Sequence, residues 1–130
     1  IVKATGIHLM QVVDSENGTT LGTVINWANH PETLWSKNLL ISSDFPHFVR
    51  EALEKGVYNG DELMYKGLGG DTVYFSGAIG GLMAPHPSLP MPHPFKDTLL
   101  AKPTYAKAKL IGDQIAILSL NALKNSGDTI

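Results

Sequence analysis

Residues 7–28, IHLMQVVDSENGTTLGTVINWA, decide the fold. Two apolar, β-branched runs at 7–13 and 21–28 flank the polar segment DSENGTT. Its Asn17-Gly18 pair is a strong hairpin signal, because both residues accept the positive φ that a tight primed turn requires. An antiparallel pair is therefore expected. The second run carries apolar residues at both parities, Leu21, Ile25 and Trp27 on one face and Val24 and Ala28 on the other. That pattern predicts a strand interior to a sheet and covered on both sides. The strand ends near Trp27, which puts Asn29, His30 and Pro31 at its carboxyl end, where open sheets usually place ligand sites.

Outward from this hairpin, SSDFPHFVREALEKG (42–56) has helix signals at each end. Ser43 or Asp44 can cap the first amides, Pro46 suits the first turn, and Gly56 can take a left-handed stop. Phe48, Val49, Ala52 and Leu53 give the apolar stripe. A polar, glycine-containing connection leads to DTVYFSGAIGGLMAPH (71–86), read as a short strand from Thr72 to Ser76 and then a glycine-rich turn. Residues 84–103 hold six of the eight prolines and predict a long ordered loop, because each proline removes an amide donor and biases its predecessor away from helix. From Thr104 a helix resumes with Ile111, Ile115, Leu118 and Ala122 at i, i+4, i+7 and i+11, ending near 125–127. Gly112 within it costs about 1 kcal/mol against Ala, which predicts close packing there. The fold class that follows is α/β in the mixed α+β sense, a mixed sheet with flanking helices, with no internal repeat and no domain boundary.

The 130 residues fit one domain, and a hydrophobic share of 43% against 17% charged residues favours an ordered core over disorder. A net charge of −2 with ten scattered Lys and Arg lacks the basic footprint of a nucleic-acid binder. No apolar run reaches the roughly 18–20 residues that a membrane span needs. The chain has no cysteine, so a metal site must draw on His, Asp, Glu or Tyr. It opens on Ile1 inside a strand-like run with no initiator methionine, and 1–130 is therefore expected to be a single partial domain from a longer polypeptide.

Three features could carry chemistry. His30, held extended by Pro31, is a metal ligand or catalytic group on one reading and a strand-terminating histidine bonded to a neighbouring carbonyl on the other. SGAIGG (76–81) could present the backbone amides of Gly77, Ala78, Gly80 and Gly81 to an anion or a developing oxyanion, or it is a tight turn. His86 and His93 are either paired ligands or residues of a proline-rich surface loop, and the loop defines no metal geometry between them.

The order NGTTLGTVINWANHPETL, NLLISSDFPHFVREAL, VYFSGAIGGLMAPH and AKLIGDQIAILSLNAL resembles the neutral/alkaline (non-lysosomal) ceramidase family, collinearly over most of the chain. In that family an Asn-Trp strand leads to a zinc-binding histidine, and the match falls on His30. LISSD resembles the segment that follows, with Asp44 on the family's aspartate. The resemblance implies a fragment of the N-terminal catalytic domain of a zinc-dependent hydrolase that cleaves an N-acyl amide or ester bond of a lipid-like substrate. It further implies an extracytoplasmic location, secreted or periplasmic. The remaining zinc ligands are expected outside this chain, in the remainder of its own polypeptide. Two departures stand out. The family's Gly-Asp-Val-Ser-Pro is here GLMAP, with Ala84 at the position of a serine assigned a catalytic role. Pro31-Glu32 also follows the histidine where the family has small hydroxyl residues. The alternative expectation is a non-catalytic, ceramidase-like binding domain.

Overall fold

A computed structural model describes residues 6–80 and 88–125. Strand β1 (Ile7–Val13) pairs antiparallel with β2 (Thr20–Trp27), and β2 pairs in parallel with β5 (Asp71–Ser76), giving a three-stranded mixed sheet in the order β1-β2-β5. The hairpin closes through Asp14, whose Oδ1 accepts the amides of Glu16 and Asn17, while Gly18 takes φ 71°. Between β2 and β5 lie helix α1 (Phe45–Lys55) and a second hairpin, β3 (Gly56–Asn59) with β4 (Glu62–Lys66). A two-residue ladder, β6 (Met91–Pro92) with β7 (Leu99–Leu100), precedes helix α2 (Tyr105–Asn125). The chain is thus an α+β fold with a mixed sheet and flanking helices, as the sequence predicts. No helix among the described residues is long and apolar enough to cross a membrane.

Register assigns the two faces of the sheet. Leu9, Ile25 and Tyr74 stand abreast, as do Gln11, Thr23 and Thr72. This face meets the helices in one core, with Ile25, Phe45, Val49, Leu53, Ala108, Ile111 and Ile115 buried in it. Gly112 is where the helices touch, since a Cβ there would lie 2.5 Å from Phe48 Cβ and 2.9 Å from the Val49 amide. The close packing expected at that glycine is present.

Four expectations need correction. The opposite face of the sheet, with Met10, Val24 and Val73 abreast and Phe75 beside them, is not covered by the described residues, and Met10 and Phe75 are each 55% exposed. Strand β2 is interior to the sheet but covered on one side, because both helices pack on the same face. Leu21, placed by parity with Ile25, is itself exposed. The connection read as polar loop contains the β3–β4 hairpin, which turns at Gly60-Asp61 with Gly60 at φ 64°. Of the α2 stripe, Ile111 and Ile115 are buried, but Leu118 and Ala122 are exposed, because past Ala116 it is Ser119 and Leu120 that turn to the core.

Candidate functional site

Parallel pairing of β2 with β5 sets Trp27 opposite Ser76, so both strands deliver their following segments to the same end of the sheet. The Trp27 carbonyl oxygen accepts the amides of Gly77 at 3.0 Å and Asn29 at 3.2 Å. A Cβ on Gly77 would lie 3.1 Å from Ala28 Cβ, so the two segments leave in contact. Helix α1 starts at this same end. Its first residue, Phe45, is fully buried and meets the rings of Trp27 and Tyr74 edge-on, with centroids 5.6 and 6.0 Å away. Tyr74 Oη lies 3.4 Å from the Trp27 carbonyl, and burial pushes its phenol up to about 12.

His30 lies half-buried three residues past β2. The Glu32 amide donates to the His30 carbonyl at 3.0 Å, which closes a γ-turn about Pro31, whose fixed φ suits the inverse form of that turn. The segment is then tied down by Asp44. One carboxylate oxygen accepts the Leu34 amide at 2.8 Å and the other the Phe45 amide at 2.6 Å. Asp44 is buried, caps α1 and takes φ 58°. Of the two capping residues allowed by sequence, Asp44 is the one used.

Between His30 and α1 the chain walls a cavity of about 400 Å³, lined by Pro31, Glu32, Leu34, Trp35, Asn38 and Asp44 with Ser36 and Ser42. Trp35 takes φ 58°, a conformation unusual for so bulky a residue. Trp35 and Asp44 are the non-glycine residues with positive φ among those described, and both line this cavity. Backbone strain of this kind gathers at ligand sites. Leu39, Leu40 and Ile41, between lining residues Asn38 and Ser42, are exposed.

The structure brings His30 and Gly77 to one end of the sheet, but neither lines the cavity. Ala78 and Gly80 are exposed, and Gly81 lies outside the described residues, as do Ala84 and His86. The Gly77 amide is already engaged by Trp27, so amides offered to an oxyanion would have to come from Ala78 onward. His93 accepts the Phe95 amide at Nδ1, 3.1 Å away, which fits a loop-shaping role. No group of three His, Asp or Glu side chains among the described residues could hold a metal ion.

Sequence reasoning missed Glu32 and the cavity it lines. Among the described residues, Asn29 Oδ1, Glu32 Oε2 and Thr33 Oγ1 are buried without a hydrogen-bond partner, all within three residues of His30. Buried oxygens are rarely left unpaired in native proteins. Imidazole and carboxylate are both ligand types that zinc accepts, and His30 and Glu32 bring one of each to this end of the sheet. The only hint in the sequence was the Pro-Glu after the histidine. Comparison with family models, curated proteins and solved structures gives no match.

Proposed function

We propose that this chain is part of the catalytic domain of a zinc-dependent hydrolase resembling neutral ceramidase, cleaving an N-acyl amide or ester bond of a lipid-like substrate outside the cytoplasm. The observation that carries the reading is the convergence of His30, the carboxyl ends of two parallel strands and the amino end of α1 beside a walled cavity. His30 would hold zinc together with ligands from the remainder of the polypeptide. Zinc, when bound, supplies a Lewis acid that polarises the scissile carbonyl and activates water. The chain's own residues do the rest. Asp44 fixes the segment 34–45 that shapes the cavity, Leu34 and Trp35 give it apolar wall, and exposed Leu39, Leu40 and Ile41 beside it suit an acyl chain. Residues 78–80 leave β5 at the same end of the sheet, and their backbone would orient the carbonyl.

The second reading, a non-catalytic binding domain, is favoured by Ala84 where the family carries serine. The test is turnover of a fluorescent N-acylsphingosine and of a p-nitrophenyl acyl ester by the full-length protein, before and after chelation. Hydrolysis lost to chelator and restored by zinc supports the hydrolase. Saturable lipid binding without turnover at added zinc supports the binding domain, and neither turnover nor binding contradicts both.

A further inference from the structure

We infer that Glu32 donates a carboxylate oxygen to the same cation as His30, so that His30-Pro31-Glu32 is a two-ligand segment. The inference rests on the metal reading of His30 above and adds a ligand that the family resemblance does not supply.

Three observations carry it. Glu32 Oε2 is buried and has no hydrogen-bond partner among the described residues. A carboxylate oxygen withdrawn from water carries a large desolvation cost unless something positive or a donor meets it. The γ-turn at Pro31 then holds Glu32 close to the histidine, and at a separation of two residues their Cα atoms lie within about 7 Å of each other, near enough for both side chains to reach one ion. Finally, Glu32 lines the cavity, so a cation it shared with His30 would stand at the edge of the space a substrate would occupy. The orphaned oxygens of Asn29 and Thr33 lie on either side in sequence. They are neutral and suit hydrogen bonding to groups around a cation, whereas Glu32 alone in this segment brings negative charge to offset a divalent ion.

The experiment measures zinc affinity of the full-length protein by competition with a chromophoric chelator, for the parent, His30→Ala, Glu32→Gln and Glu32→Asp. Circular dichroism of the metal-free proteins confirms that each is folded. Glu32→Gln keeps the shape and removes the charge, and a loss of affinity of about 30-fold or more is expected, since altering residues that only support a metal's ligands already costs about 10- to 100-fold. Glu32→Asp draws the carboxylate back by one methylene and is expected to lose about tenfold. It serves as the deciding variant if Glu32→Gln does not fold. Zinc affinity within threefold of the parent in a folded Glu32 variant overturns the inference, whatever happens to KM, and would make Glu32 a substrate contact or a structural residue. If His30→Ala also leaves affinity unchanged, the metal reading itself has failed. If His30→Ala alone abolishes binding, only the role of Glu32 is lost.

Discussion

Asp44 shows how one residue can hold this site in shape. Both of its oxygens are spent on backbone amides, that of Phe45 next in the chain and that of Leu34 ten residues before it, and it does so from a positive φ. Asp44→Ala should cost about 2–4 kcal/mol, the sum of a lost cap and an orphaned buried amide, while Asp44→Asn, which keeps an acceptor and tolerates that φ, should cost less. Urea unfolding midpoints of the two variants check the order. Asp113 illustrates the opposite case. Burial raises its pKa from 3.8, against two hydrogen bonds from Lys109 that lower it. A raised folded pKa means the native state holds the proton more tightly than the unfolded chain, so stability falls as pH climbs from the ordinary carboxylate value towards the raised one. Asp113→Asn removes that slope. Its stability relative to the parent should therefore improve as pH climbs from the ordinary carboxylate value towards the raised one, read from urea midpoints across the acid range.

At the scale of elements, the contact of α1 with α2 turns on Gly112. Ala is favoured over Gly in a helix by about 1 kcal/mol, but its Cβ would meet Phe48 Cβ and backbone on α1, atoms that cannot swing aside. Gly112→Ala should therefore destabilise by roughly 1–3 kcal/mol net, measured by thermal or urea unfolding, and a gain in stability would show that the helices can separate cheaply. Much of this level was legible in the sequence. Asn17-Gly18 marked the β1–β2 hairpin, Asp44 and Gly56 bracketed α1, and the packing role of Gly112 followed from the cost of a helical glycine. The β3–β4 hairpin was missed although Gly60-Asp61 carries turn chemistry of its own, because its strands are short, β4 is mostly exposed, and neither shows much alternation. The β6–β7 ladder was hidden by Pro92, which a strand tolerates only at an edge. His30 could be placed from sequence, since the end of a strand is a local property. The cavity could not, because its wall depends on Asp44 reaching back to Leu34 and on the strained backbone at Trp35.

At the scale of the molecule, the sheet has one face in the core and one that the described residues leave bare, and apolar parity could not tell these apart. Met10, Val12, Val73 and Phe75 leave an apolar surface of the kind that soluble domains usually cover. On the proposed reading, in which further polypeptide packs onto this face in a longer protein, Met10→Lys with Phe75→Lys destabilises that protein by more than about 2 kcal/mol. In the 130-residue chain alone the same pair should change stability by only about 0.5 kcal/mol, as exposed substitutions do, while raising solubility. Paired urea unfolding curves decide this, and equal small effects in both proteins would leave the face exposed in the whole molecule. The central claim is that the end of the sheet where β2 and β5 finish together is a metal site held by His30. Its most direct test is the zinc content of the full-length protein and of its His30→Ala variant, purified alike and measured by elemental analysis. The account predicts roughly one zinc per chain in the parent and a large loss in the folded variant, whereas equal zinc in both proteins would contradict it.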